Sequence, residues 1–353
     1  MPPPQPRIQS IATANPPYRL DQEDVMARAG ELFGGGFDTL DRLFPVYSNA
    51  AIETRYSCVP LDWYMADHGF GERNRLYLEN AVDLLSKAAD ECLAAAGLAP
   101  SDIDIIVAVS TTGIATPSLD ALLMERMDFR RDVQRLPIFG LGCAGGVLGL
   151  ARAAALARGQ PDARVLFLVV ELCALTFRRG DRSKSNIIAT ALFGDGAAAL
   201  VVSCHGEEGR PIVTAWGEHT WPDSLNVMGW DVSDDGLGVR FSRDIPRLVR
   251  GELRAVAEAY LENHGLTLDC IDNFVCHPGG AKVIDALEEV FDLPPGGLAH
   301  TRSVLRDYGN MSAATVLFVL KRALADGGGA PRRHLISTLG PGFSAGFLTL
   351  EQP

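Results

Sequence analysis

The residue best suited to covalent chemistry is Cys143, in the run "GLGCAGGVLGLARAAALARG" at 140–159. A helix opening at 143–145 sets this thiol at the helix N-terminus, where free N–H groups and the positive end of the helix dipole favour a thiolate. Gly142, Ala144, Gly145 and Gly146 leave room for a substrate to come close, and the helix beyond is apolar nearly all round, hence buried. The competing reading is a packed core cysteine, the common fate of a free thiol. A nucleophilic thiolate needs a basic partner. His277, in "FVCHPGGAK", stands where an apolar strand runs into a Pro-Gly-Gly turn, the strand end at which α/β folds gather ligands. His68, His205, His219, His264, His300 and His334 lie in polar surroundings that read as surface. Asn310, in "RDYGNMSAAT", is a helix N-cap or a side-chain amide that donates to an oxyanion.

These residues need elements to position them. "SDIDIIVAVSTTG", "ARVLFLVVELCAL" and "DGAAALVVS" read as strands covered on both faces. "LYLENAVDLLSKAADECLAAAGL", "LVRGELRAVAEAYLENHGL", "AKVIDALEEVF" and "GNMSAATVLFVLKRALADGGG" read as helices, Gly97 and Gly265 ending the first two. "RHLISTLGPGFSAGFLTLE" reads as a strand pair around Gly340-Pro341-Gly342. An internal echo links the glycine turn, apolar helix and basic-flanked strand after Cys143 with the same sequence of elements after Asn310. We therefore expect two related α/β halves, 1–206 and 207–353, joined near "SCHGEEGRP".

Bulk properties narrow the function. The 353 residues are 47% hydrophobic and 22% charged, as in an ordinary globular protein. A net charge of −12 opposes nucleic-acid binding. No apolar run is long enough to span a bilayer and no secretory signal is seen, so a cytoplasmic protein is expected. Seven cysteines without a CxxC pair suggest neither a disulfide framework nor a zinc site, and no glycine string has phosphate-loop spacing.

Together the motifs resemble the type III polyketide synthases, the chalcone synthase-like family of the thiolase superfamily. "GCAGG", "ALFGDGAAAL", "HPGG", "YGNMSAA" and "GPG" occur in the family's order and spacing, and the likeness runs from "IQSIATANPP" to "GPGFSAGFLTLE". It implies a thiolase-like duplicated αβαβα layered fold and iterative condensation of malonyl-CoA onto an acyl-CoA starter, with CoA thioesters as substrates and no cofactor or metal. Cys143 matches the nucleophile, His277 its thiolate partner, and Asn310 the second donor to the enolate. Phe193 matches a gatekeeping aromatic, and a second gatekeeping position falls at Val239. Thr111, Glu171 and Ser312 match a network linked to aldol closure. Cys173, Thr176, Trp230 and Pro341 fall around the cavity. Thr116 matches a residue passed into the partner's cavity, which implies a homodimer.

Of three basic positions used for CoA phosphates, Arg42 is basic here, whereas Pro45 and Asn49 are not; Lys282 and Arg55 are candidate substitutes, beside Gly279 and Gly280. The stretch "DSLNVMGWDVSDDGLGVRFSRDIP" looks most like bacterial members that form alkylpyrones and alkylresorcinols from fatty acyl starters, and Trp230 fills part of an aromatic starter pocket. A β-ketoacyl-acyl carrier protein synthase III-like single condensation is the nearest rival. A catalytically silent scaffold and a cysteine hydrolase are more distant ones.

Overall fold

A computed structural model of the chain describes residues 4–33, 45–206, 209–242, 244–326 and 331–353. Its strands are β1 (Arg7–Ala14), β2 (Tyr18–Asp21), β3 (Thr54–Ser57), β4 (Ile105–Val109), β5 (Gln134–Ile138), β6 (Arg164–Leu172), β7 (Asp195–Ser203), β8 (Ile212–Thr220), β9 (Met228–Ser233), β10 (Gly236–Phe241), β11 (Asn273–Cys276), β12 (Arg332–Gly340) and β13 (Ser344–Gln352). Its longer helices are α1 (Gln22–Phe33), α2 (Phe70–Ala96), α3 (Gly145–Gly159), α4 (Lys184–Leu192), α5 (Arg254–Glu262), α6 (Ala281–Val290), α7 (Ala299–Tyr308) and α8 (Thr315–Ala325).

Nine strands form one sheet in the order β11-β12-β13-β8-β1-β7-β6-β4-β5. Its two sides repeat a pattern. β4 is parallel to β6, β6 antiparallel to β7, and β7 antiparallel to β1. On the other side β11 is parallel to β12, β12 antiparallel to β13, and β13 antiparallel to β8. The sides meet where β1 pairs with β8 at Arg7 and Ile212.

The apolar runs on β6 and β7 explain the layering. Alternate residues of a strand face opposite sides. Val165, Phe167 and Val169 join a central core with α3 and α8, whereas Leu166, Leu168 and Val170 join a second core under α2. Likewise Ile336 and Leu348 face the centre, while Leu335 and Phe347 face a third core with Leu261, Ile284 and Leu305. The outcome is helix, sheet, paired central helices, sheet, helix: the duplicated αβαβα fold. His334 departs from the surface reading; it is fully buried and bonds Asn273 and Gln352, because it shares the β12 face of Ile336, which is turned to the central layer.

The central helices each follow a short 3-10 turn, Gly142–Ala144 before α3 and Ser312–Ala314 before α8. The two turns come together because α3 starts with glycines. A Cβ on Gly146 would lie 2.2 Å from the Ala313 carbonyl oxygen, and one on Gly145 2.6 Å from Val109. Gly146→Ala is therefore expected to cost more than about 2 kcal/mol, or to prevent soluble folding, through overpacking against backbone. Gly159→Ala, with open space around it, is the control and should be neutral or slightly stabilising; urea denaturation of both checks this.

Candidate active site

Cys143 lies within the 3-10 turn, one step ahead of the α-helix that the sequence suggested would begin at 143–145. The thiol is buried, and the residue's carbonyl accepts a bond from Thr338 Oγ1 at 2.8 Å. The Gly142 N–H donates to Thr111 Oγ1 at 3.1 Å. Pro341, in the β12–β13 turn, packs on Gly142, where a Cβ would come within 2.7 Å of its ring. His277 follows β11, its N–H bonded to Ser337 O at 2.9 Å, and both of its ring nitrogens are buried without a partner among the described residues. The bond to Ser337 extends the β11–β12 ladder by one residue, so His277 is held at the very end of the strand.

Asn310 forms a one-residue parallel bridge with Phe193. Its Oδ1 accepts from Ser312 N–H at 2.8 Å, and its Nδ2 reaches Gly279 O at a long 3.4 Å. Asn310 thus caps the turn and still keeps amide hydrogen capacity. Cys143, His277 and Asn310 all line one cavity of about 400 Å³.

Burial sets the protonation of this group. Desolvation pushes the Cys143 thiol up to about 12, opposed by a bond to Ser312 and reinforced by the nearby Glu171. Desolvation also pulls His277 down to about 4. The resting pair is a neutral thiol and a neutral imidazole; dipole stabilisation at the helix start does not outweigh the loss of water.

Glu171 is fully buried. Its Oε2 accepts from Thr111 N–H at 3.0 Å, Thr112 Oγ1 at 2.9 Å and Ser110 Oγ at 3.4 Å. Of the expected network, Thr111 meets Glu171 through its backbone N–H while its hydroxyl serves Gly142, Ser312 bonds Cys143, and Ser110 and Thr112 add further bonds to the carboxylate. Desolvation raises Glu171 to about 7.

Phe193 is buried in a cluster with Cys173 and Ala189, against which Trp230, Val239 and Phe241 pack. Trp230 and Val239 are cross-strand partners in the β9–β10 hairpin, and Trp230 Nε1 donates to Thr111 O at 2.9 Å. Cys173, Thr176, Phe193 and Val239 line a second, apolar pocket of about 70 Å³ that runs on to Val25, Ala29, Leu32 and Phe33 of α1. Gly279, Gly280 and Lys282 line the larger cavity, as do Pro45 and Asn49. Arg42 lies outside the described residues. Arg55 is a correction: it is 3% exposed, and its guanidinium is bonded to Gln22 and to the carbonyls of Thr190, Ala191 and Phe193, so it does not face a phosphate. Thr116 is exposed on the loop after β4 and does not line either cavity.

The sequence reading missed Phe241, whose ring lies 5.6 Å from that of Phe193. It stands two residues beyond Val239 on the same strand face, a period-2 signal that was available. It also missed Lys184, which lines the large cavity from the first turn of α4 and carries no distinguishing motif.

A duplicated layered fold with a buried cysteine, histidine and asparagine on one cavity defines a thiolase-like protein. Comparison with known proteins narrows this. The Chalcone and stilbene synthases N-terminal domain matches residues 62–206, and the C-terminal domain of the same family matches residues 213–346. A 1,3,6,8-tetrahydroxynaphthalene synthase from Streptomyces peucetius is 39% identical, over 98% of this chain and 92% of its own. A 3,5-dihydroxyphenylacetyl-CoA synthase from Amycolatopsis balhimycina is 31% identical, over 95% and 90%. The crystal structure of 1,3,6,8-tetrahydroxynaphthalene synthase from Streptomyces coelicolor superposes with a TM-score of 0.93 at 27% identity, covering 98% of this chain and 99% of that one. The chain belongs to the chalcone and stilbene synthase family, the type III polyketide synthases. These are acyltransferases that act on CoA thioesters without a cofactor. No helix among the described residues is long and apolar enough to cross a membrane.

The raised Glu171 value has a linkage consequence. The folded chain holds a proton that the unfolded chain releases between about 4.5 and 7, so this group's contribution to stability falls as pH rises through that window. Melting curves should show the wild type losing stability relative to Glu171→Gln between pH 5 and pH 7.5, by at most about 1.4 kcal/mol per pH unit.

Proposed function

We propose that this synthase takes a medium-to-long fatty acyl-CoA starter and extends it to an alkylpyrone or alkylresorcinol. The observation that carries the reading is the apolar pocket behind Phe193, reaching from Cys173 and Val239 to Phe33. An alkyl chain gains about 0.8 kcal/mol per buried CH₂, so such a pocket selects chain length rather than headgroup.

In this reading the Cys143 proton passes to His277 and the sulfur attacks the starter thioester, releasing CoA thiol. Malonyl-CoA then binds in the large cavity, where Ile188, Leu192, Met228 and Leu339 disfavour its carboxylate. Carbon dioxide leaves, and the enolate oxygen is held by N–H donors of His277 and Asn310. The enolate carbon attacks the Cys143 thioester, giving a β-ketoacyl-CoA and freeing the sulfur for reloading. Lys184 and Lys282 at the cavity edge serve the CoA phosphates. Glu171, set near its midpoint at neutral pH, moves a proton during aldol closure. Thr116 and the exposed Ile114, Leu136 and Phe139 along the β5 edge meet a second copy of the chain in a homodimer. The halves divide as 1–206 and 207–353, in line with the repeated strand order. A second reading, a polyhydroxylated aromatic product built without a fatty starter, takes its product class from the name of the Streptomyces peucetius relative, a 1,3,6,8-tetrahydroxynaphthalene synthase.

Incubation with a panel of acyl-CoAs and malonyl-CoA, products read by mass, tests this. Triketide or tetraketide products from long starters that vanish in Cys143→Ala are expected. Product from malonyl-CoA alone, undiminished by a long starter, would turn the assignment to the second reading; product only with an acyl carrier protein would turn it to the single-condensation rival. Val239→Phe should move preference toward shorter starters by about tenfold or more, since the lost space excludes several methylenes.

A further inference from the structure

Helix α4 is a wall one helix thick. Lys184, Ile188 and Leu192, spaced by four, face the large cavity, while Asn186, Ala189 and Thr190, with Phe193 just beyond, face the apolar pocket. A helix end leaves its last carbonyls without partners. Here they are taken up from two directions. Arg55 donates to Thr190 O at 2.7 Å, Ala191 O at 2.8 Å and Phe193 O at 2.9 Å, and also to Gln22 Oε1. Gln22 Nε2 in turn donates to Ala191 O at 3.1 Å. From the other side, Asn310 N–H donates to Leu192 O at 2.8 Å, and Gly194 N–H donates to Asn310 O at 3.0 Å. The gating aromatic and the Asn310 backbone are therefore fastened to one short segment, 190–194, three of whose carbonyls Arg55 grips. The grip is buried, and a charged fork at a helix C-terminus also meets the negative end of the dipole.

We infer that Arg55 is a positioning residue for condensation: by pinning the end of α4 it sets the places of Phe193 and, through the bridge, of Asn310. This rests on the reading of Asn310 as an enolate donor. The two chemical steps then respond differently. Starter loading needs Cys143 and His277; decarboxylative condensation needs Asn310 as well. A fold anchor with no positioning role would instead lower both steps together, in proportion to the folded fraction.

The test compares the wild type with Arg55→Lys, which keeps the charge but loses the fork, and with Gln22→Met, which leaves Arg55 in place. Starter loading onto Cys143 is followed by intact-protein mass, and condensation by product formation per folded protein. Arg55→Lys should lower condensation about ten- to a hundredfold, as expected of a misplacement near 1 Å, with loading little changed and shorter products enriched. Gln22→Met should act in the same direction and more weakly. Equal loss of both steps, or unchanged condensation and product length in a folded variant, overturns the inference; if Arg55→Lys does not fold, Gln22→Met decides by the same criteria. Failure of the wild type to form any carbon–carbon bond would instead overturn the functional reading.

Discussion

The structure depends on one close approach, that of the two 3-10 turns at the starts of α3 and α8. Gly146 brings the start of α3 onto the Ala313 backbone at a distance that no side chain permits, and Gly145 beside it is closely pressed on Val109. One turn carries Cys143 and the other lies beside Asn310 and contains Ser312. The contact between two halves of the chain, far apart in sequence, is thus also the contact that assembles the reactive group. It is central in the layered fold, enclosed by both sides of the sheet, so the site is as dry as the core around it.

Dryness has consequences for every ionisable group nearby. Cys143, Cys173, Glu171 and Asp195 are all driven toward their neutral forms, and His277 loses its proton for the same reason. A site of this kind holds little charge at rest. In the proposed reaction charge appears when substrate arrives, as a thiolate–imidazolium pair or an enolate between two donors, and low polarity strengthens the interactions that stabilise it. Glu171 and Asp195 differ in what they do with their burial. Asp195 commits both oxygens to the backbone N–H groups of Cys58 and Ala174, whereas Glu171 keeps Oε1 without a partner among the described residues. The first is a structural brace for the segment after Phe193; the second keeps that oxygen, the atom the proposed aldol closure would use.

Space is partitioned as carefully as charge. The large cavity reaches the three reactive residues, and the apolar pocket continues behind the cluster of Phe193 and Cys173. The β9–β10 hairpin supplies Trp230 and Val239 to that cluster from across the fold. In the proposed reaction α4 and this hairpin make the boundary, so side chains that take no part in bond making would set the product. Two relatives, 39% and 31% identical to this chain, carry names of different products.

Much of this was legible in the sequence. Glycines around Cys143, the strand-end His277 and the turn before Asn310 each have a local signature, since helix starts and strand ends impose composition over a few residues. The apolar runs of β6 and β7 announced strands covered on both faces, and the family motifs pointed to the layered fold. What stayed hidden depends on contacts between distant segments. Arg55 read as a candidate for the CoA phosphates, because nothing local tells that the end of α4 lies over it. His334 read as surface, because nothing local tells which face of β12 turns toward the central layer. Ser110 and Thr112, rather than the Thr111 hydroxyl, hold Glu171, a choice made by which way a strand end turns its side chains. The sequence by itself determined the reactive residue types, their order and the elements that carry them. Tertiary structure decided their protonation, their partners and the shape of the space they face, since desolvation and packing are set by neighbours that sequence distance does not reveal.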